Sequence, residues 1–185
     1  MDRALNLAQP GDREEQIAIH LTYARTYDLQ GQHVHALHHA RLAERIAQNS
    51  TDLRYRAGVL TAIAKQLAGL GRSATALPLC QEGRSLYAQV NNRDGEAQAL
   101  NTLGLIHQNL GNQPEAITCY EQALHLNRRI GSRYWEAVML DRLADLYHAH
   151  GQPIQARDAR HNALTILKNL HHPDAATVQA KLATA

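Results

Sequence analysis

The sequence predicts an all-α protein built from four helix-turn-helix repeats and a short closing helix. The first observation is a strict period, because Gly31, Gly71, Gly111 and Gly151 stand 40 residues apart. The second is that an alanine follows each of these glycines by five residues, and other small residues lie seven before and twelve after it. The third is a composition rich in Ala and Leu and without Phe, which favours helices over strands. A fixed period of this length is typical of stacked helical repeats.

Each repeat is predicted to contain two amphipathic helices. The periodic glycine ends the first helix, where the residue past the C-terminus often takes a left-handed conformation. Pro114 and Pro153 stand in the first turn of the second helix, where a missing N–H breaks no hydrogen bond. Pro78 lies deeper and is expected to delay or bend the start of its helix. The predicted helices cover residues 14–28, 33–48, 53–70, 74–90, 94–110, 113–130, 134–150 and 154–169, with a closing helix from about residue 174.

The helices define the expected domain organisation. Small residues in the repeated columns lie where two helices of a pair approach closely. The closing helix would place Ala175, Val178 and Leu182 on one face, over the exposed core of the last hairpin. The expected segments are an N-terminal tail at 1–11, repeats at about 12–51, 52–92, 93–132 and 133–172, and a capping helix and tail at 173–185.

The repeated columns resemble the tetratricopeptide repeat (TPR). The third unit matches best, through Leu103, Gly104, Gly111, Ala116, Tyr120 and Ala123. The fourth unit matches through Leu143, Ala144, Tyr147, Gly151, Ala156 and Ala163. In the second unit Gly83 replaces an alanine of the pattern. The resemblance implies a right-handed superhelix that binds a protein or peptide.

The length of the unit points to a narrower resemblance. Units of 40 residues, rather than the commoner 34, are similar to those of bacterial signalling regulators. The closing stretch QARDARHNALTILKNLHHPDAATVQAKLA is similar to the C-terminal TPR modules of bacterial SARP-type and NB-ARC-containing transcriptional regulators. This second resemblance implies a sensor or interaction domain of such a regulator.

Composition argues against several other classes of protein. Lys plus Arg total 19 against 17 Asp plus Glu, so the strongly basic surface of a nucleic-acid-binding protein is not expected. No apolar run approaches the roughly 20 residues that span a membrane, and the first residues lack the apolar core of a signal peptide. Cys80 and Cys119 form no C-x-x-C motif. We therefore expect a cytoplasmic protein with reduced cysteines.

Motifs of catalysis are absent from the sequence. The glycine turns lack the lysine and the spacing of a P-loop, and no G-x-S-x-G motif occurs. Neither cysteine has a histidine placed by the repeats as an obvious base. Asp141 and Asp145 share a helix face, but two carboxylates without a pocket are usually a solvated surface. The sequence therefore predicts a binding module without a cofactor and not an enzyme.

The TPR resemblance implies that the first helix of each pair lines a concave wall that binds a partner. Its predicted ligand contacts are Arg25, Thr61, Lys65, Asn101, Gln108, Asp141, Asp145 and His148. The basic residues come early in this series and the acidic residues late, which favours an extended peptide with one acidic and one basic end. The amide side chains suit a peptide backbone because they both donate and accept hydrogen bonds. The alternative is that these polar residues are solvated, or form salt bridges between hairpins.

The stretch HVHALHHA, residues 33–40, raises the question of a metal site. His35 and His39 are four residues apart and share a helix face, as a metal requires. The repeats place Ala36 and Ala40 in buried columns and the four histidines between them. Because a stable site needs a third or fourth ligand, we expect a solvated outer face and no metal.

A second functional hypothesis is self-association. Ile17 and Leu21 begin the array, and no earlier repeat covers them. Unless residues 1–11 fold over this edge, it would leave an apolar surface exposed. A homodimer through the N-terminal edge is therefore the alternative to peptide binding.

Overall fold

The computed structural model describes residues 13–48 and 50–183, and it contains nine helices and no strand in this part of the chain. The fold is therefore all-α, as predicted. Contacts divide the chain into two compact units, Met1–Asn112 and Gln113–Ala185. Among the described residues, no helix is both long and apolar enough to cross a lipid bilayer.

The helices are distributed unequally between the units. The first unit contains α1 (Arg13–Leu29), α2 (His33–Ala47), α3 (Leu53–Gly69), α4 (Ser73–Gln89) and α5 (Arg93–Asn109). The second unit contains α6 (Gln113–Arg129), α7 (Arg133–Ala149), α8 (Pro153–Asn169) and α9 (Asp174–Ala183). Every predicted helix is confirmed, and the predicted ends differ from the observed ends by at most one residue. The repeat limits stay a prediction, and the expected tail at 1–11 lies outside the described residues.

The four periodic glycines occupy equivalent turns. Gly31, Gly71, Gly111 and Gly151 have φ values of 69°, 74°, 77° and 68°, which favour glycine over residues with a Cβ. In each turn the residue after the glycine donates its N–H to the carbonyl four residues before the glycine, at 2.8–2.9 Å. Since no described atom lies within 4 Å of a Cβ built on these glycines, their backbone conformation and not their small size explains them.

A second set of turns also uses the left-handed region, and the sequence analysis did not identify it. Asn91, Gly131 and His171 have φ values of 54°, 73° and 50° and precede α5, α7 and α9. They are again 40 residues apart. Asn tolerates this conformation, whereas a histidine takes it at a cost of about 1 kcal/mol. The signal was a glycine and an asparagine in one repeated column.

Small residues bring the paired helices close together. The alanines of the three small-residue columns are buried: Ala24, Ala36, Ala43, Ala64, Ala76, Ala116, Ala123, Ala144, Ala156 and Ala163. At Gly83 even an alanine is too large, because its Cβ would lie 2.7 Å from Thr61 Oγ1 and 3.1 Å from the Ala57 carbonyl oxygen. The departure from the TPR pattern at Gly83 is therefore explained by a closer approach of α3 and α4.

The expectation for Pro78 is wrong. Helix α4 begins at Ser73, one residue earlier than predicted, and continues through Pro78 to Gln89. Pro78 removes the N–H that would donate to the carbonyl of Ala74. Both residues are exposed, so water can solvate that carbonyl and the helix continues.

The closing helix α9 packs on α8, as expected. Val178 is buried, and Ala175 and Leu182 are half-buried. Tyr134 at the start of α7 donates its hydroxyl to Asp174 of α9 at 3.2 Å, across 40 residues of sequence. Helix α9 therefore takes the place of the first helix of a further repeat.

Candidate functional site

The first helices of the first unit pack side by side, α1 on α3 and α3 on α5. They carry five of the eight predicted ligand contacts. Arg25 and Gln108 are exposed, Lys65 and Asn101 are half-buried, and Thr61 is buried. We call the surface formed by Arg25, Lys65, Asn101, Leu105 and Gln108 the first-helix face.

Lys65 is already paired within the chain. Its Nζ lies 2.6 Å from a carboxylate oxygen of Asp28, whose side chain is only 9% exposed. Gln66 Nε2 donates to the other carboxylate oxygen at 3.1 Å. Because a buried carboxylate needs such partners, Lys65 stabilises the contact between α1 and α3. This is the salt-bridge alternative that the sequence left open.

Thr61 faces the second helix of its own hairpin. Its Oγ1 lies against Gly83 of α4 and is buried. A ligand on the first-helix face would therefore not reach this hydroxyl without a rearrangement. Thr61 acts through packing, and its prediction as a ligand contact has no support from the geometry.

Helix α5 supplies the part of the first-helix face with unused hydrogen-bonding capacity. Asn101, Leu105 and Gln108 are spaced at i, i+4 and i+7, so they share one side of the helix. Asn101 Oδ1 accepts no hydrogen bond from the described part of the chain. An amide oxygen without a partner is costly when buried, and an N–H group of a ligand would satisfy it.

The two predicted acidic contacts of the second unit are also paired within the chain. Lys181 Nζ of α9 lies 2.7 Å from Asp141 and 2.9 Å from Asp145, both on α7. Arg160 of α8 donates from its NH2 group to Asp145, and its Nε lies 3.7 Å from Asp141. His148, the third predicted contact in this unit, is exposed near the end of α7. The expected charge gradient is therefore largely compensated inside the chain.

The contacts shift the pKa values of this cluster. Burial would raise the pKa of Asp145, but hydrogen bonds from Lys181 and Arg160 outweigh it and lower the pKa below its ordinary value. Burial would lower the pKa of Lys181, but hydrogen bonds to Asp141 and Asp145 outweigh it and raise the pKa. Both side chains are therefore charged at neutral pH.

The expectation of a solvated outer face is wrong for His33. Its Nδ1 lies 3.0 Å from Gln66 Oε1 and 3.7 Å from Asp28, and its ring covers Gly69. A Cβ at Gly69 would lie 2.7 Å from the imidazole. His33 stands at the start of α2, where the helix meets α3, so it extends the polar cluster around Asp28.

The expectation is also wrong for His39, whereas His35 and His38 are exposed as predicted. His39 Nδ1 lies 3.1 Å from Nδ1 of the buried His20 on α1. The ring of Tyr27 stacks on both His35 and His39, at centroid distances of 5.3 and 5.4 Å. The column of His39 faces the partner helix, because α1 offers polar and aromatic side chains there.

These histidines form no complete metal site in the described residues. No group of three or more His, Cys, Asp and Glu side chains there is arranged to hold a metal ion. Burial, followed by the charge of His39, lowers the pKa of His20. Cys80 is buried and donates its Sγ to the Ala99 carbonyl at 3.4 Å. The histidine cluster therefore joins α1 to α2.

Three comparisons relate the chain to known proteins. The family model described as tetratricopeptide repeat matches residues 55–129, from α3 to α6. Regulatory protein RapG of Bacillus subtilis (strain 168) is 26% identical over 131 residues, which are 70% of this chain and 35% of RapG. The chain thus spans about a third of that curated relative.

Solved structures support the fold. A Rap protein complexed with competence and sporulation factor has a TM-score of 0.80 and 14% identity, over 91% of this chain and 47% of that protein. BtubC from P. vanneervenii has a TM-score of 0.77 and 22% identity, over 92% of this chain and 73% of that protein. At these identities the likeness shows the fold alone, a TPR-like helical repeat.

Proposed function

We propose that this chain is a non-enzymatic module that binds a protein or peptide on the first helices of its repeats. The observation that carries the proposal is the α5 part of the first-helix face, where Asn101 keeps an unused acceptor oxygen between the half-buried Leu105 and the second-helix side of the unit. An apolar contact beside a free amide oxygen suits a peptide, which offers side chains and backbone N–H groups together. The Rap protein complexed with competence and sporulation factor lends further support.

The test starts from peptides selected for binding to the chain from a random peptide library. Asn101→Ala should weaken the selected peptide by about tenfold, or ~1.4 kcal/mol, because the amide contact is lost. Arg25→Glu, on the same face, should change the affinity for charged peptides. Gln98→Ala is the matched control, since Gln98 is exposed on α5 and bonds to Asp94 in its own helix. Equal affinities for Asn101→Ala and the parent chain would remove the α5 site from the proposal.

A narrower proposal concerns the biological setting. The 40-residue unit and the closing stretch favour the sensor or interaction domain of a bacterial transcriptional regulator that works in the cytoplasm. RapG, the regulatory protein that matches part of the chain, supports a regulatory role. Sequencing of the complete gene and its flanks tests this proposal, because a DNA-binding or NB-ARC segment in the same reading frame is expected.

Self-association remains the second candidate, but at another surface. Ile17 is fully buried, so the apolar edge expected at Ile17 and Leu21 is not exposed there. Instead Leu29 is 80% exposed and Val34 66% exposed, on either side of the turn between α1 and α2. Light scattering after size exclusion distinguishes the candidates. A mass that rises with concentration and returns to that of one chain in Leu29→Ser/Val34→Ser would favour self-association.

A further inference from the structure

We propose that Asp141 and Asp145 form a seat for one basic side chain of a partner protein, and that α9 fills this seat with Lys181 until the partner displaces it. We call the two carboxylates together with Arg160 the acidic seat. The inference rests on the proposed function, because it assigns partner chemistry and regulation to the predicted contacts on α7. It makes α9 an internal competitor of the ligand.

The charges of the acidic seat call for one exchangeable cation. Arg160 is a fixed counter-ion, since its side chain is 6% exposed and its guanidinium contacts both carboxylates. One negative charge remains, and Lys181 neutralises it at 2.7 and 2.9 Å. If Lys181 withdrew, two partly buried carboxylates would share one arginine, which is costly. A partner must therefore supply a lysine or an arginine.

The two cations differ in accessibility. Lys181 is 34% exposed and Asp145 is 40% exposed, so solvent and a partner can reach both groups. Arg160 lies beneath them on α8. The accessible side of the acidic seat is therefore the side that Lys181 occupies.

Helix α9 is the element best suited to leave. It has 10 residues, whereas the other eight described helices have 15 or 17. Val178 is its one fully buried side chain within residues 174–183, and isolated helices this short are marginal in water. Few anchors and a short length give α9 a low cost of local opening.

The contacts of α9 also describe what the partner presents. Val178 and Lys181 are three residues apart, so one face of a helix carries an aliphatic side chain and a cation together. A partner helix with a Val, Ile or Leu three residues before a Lys or Arg reproduces both contacts. The acidic seat selects such a helix and rejects one with an acidic residue at the second position.

The first experiment uses the sequence of α9 as its probe. A fluorescein-labelled peptide DAATVQAKLA and the same peptide with methionine in place of its lysine are titrated into the full chain and into Lys181→Met, with anisotropy as the readout. The lysine peptide should bind Lys181→Met at least tenfold more tightly than it binds the parent chain. It should also bind that variant at least tenfold more tightly than the methionine peptide does. Asp145→Asn in the Lys181→Met background should remove the preference for lysine.

A matched control and a second measurement complete the test. Lys168→Met removes an exposed lysine of α8 and should leave peptide affinity unchanged. Hydrogen exchange on the parent chain should show the α9 amides opening more readily than those of α7 and α8, and Lys181→Met should increase this difference. Equal binding of the two peptides, or α9 amides as protected as those of α8, would overturn the proposal. Either failure leaves the α5 peptide site untouched, because its test uses Asn101→Ala and selected peptides.

Discussion

Each unit joins a lysine to a carboxylate across neighbouring first helices, and the two pairs have different consequences. In the first unit Lys65 reaches Asp28 between α1 and α3, two helices of 17 residues. In the second unit Lys181 reaches Asp141 and Asp145 from α9, a helix of 10 residues. The carboxylate of Asp28 is almost fully buried, whereas Asp145 is open to solvent. The same chemistry therefore fastens one unit and leaves an exchangeable contact in the other, according to the helix that carries the lysine.

The largest expected effect comes from removing the carboxylate of the first pair. Asp28→Ala should lower the free energy of unfolding by about 2 kcal/mol, because Lys65 and Gln66 lose a buried partner. Lys181→Met should cost less than ~1 kcal/mol, because its pair is open to solvent. Urea denaturation followed by circular dichroism measures both changes. The contrast between the units fails if the two substitutions cost the same.

A double-mutant cycle sharpens the contrast by testing how tightly the first unit is packed. Gly83→Ala should not bring the ~1 kcal/mol that alanine normally adds inside a helix, because its Cβ meets Thr61 Oγ1. In a Thr61→Ala background the same change should be more favourable by about 1 kcal/mol. Thermal denaturation of the four proteins gives the coupling. Additive effects would show that α3 and α4 are not in close contact at this point.

Acid separates the two units further. Burial and the charge of His39 lower the pKa of His20, with His38 and Arg45 adding to the effect. Below pH ~6.5 the unfolded chain therefore takes up a proton that the folded chain resists. The first unit should lose stability as the pH falls from there through the lowered pKa of His20.

The acidic seat responds at a different pH. The folded pKa of Asp145 is lowered, so its contribution is present above the unfolded value of about 3.9 and disappears only as the pH falls through the lowered value. At pH 5, hydrogen exchange corrected for intrinsic rates should show α1 opening while α9 is unchanged from pH 7. His20→Gln should remove the response of α1. Opening of α9 before α1 would reverse the assignment.

The smallest effect is expected at the start of α9. Tyr134→Phe removes the hydrogen bond from Tyr134 to Asp174, whose side chain is about half exposed. The free energy of unfolding should fall by only about 0.5 kcal/mol, while exchange of the first α9 amides should rise. Hydrogen exchange is the more sensitive measurement here. An unchanged exchange rate would mean that Asp174 does not anchor α9.

The fold was predictable because backbone requirements recur in the sequence. Gly31 and its three equivalents mark turns that demand a left-handed residue, and Ala36 and its equivalents mark columns with no room for a larger side chain. Those two constraints place every helix within one residue. Pro78 was misjudged because an exposed carbonyl tolerates the loss of one hydrogen bond.

The site was less predictable because a column identifies a shared face but not a partner. Lys65 and Asp145 were correctly placed on first helices, yet each is bonded to another residue of the chain. One signal was available, since Lys181 stands 40 residues after Asp141 and has the opposite charge. His39 was placed on the outside because columns do not report that His20 lies opposite. Distances between helices depend on side-chain packing, which one sequence alone does not specify.

The turn before α9 has a use in protein engineering. His171 adopts φ 50° at a position where the corresponding residue before α7 is a glycine. Relief of this backbone cost, about 1 kcal/mol, is available through the single replacement His171→Gly. Such a variant would raise the threshold at which a competing helix is admitted, and bulkier residues at the same place would lower it. The molecule thereby offers a one-residue dial for setting the sensitivity of a synthetic switch.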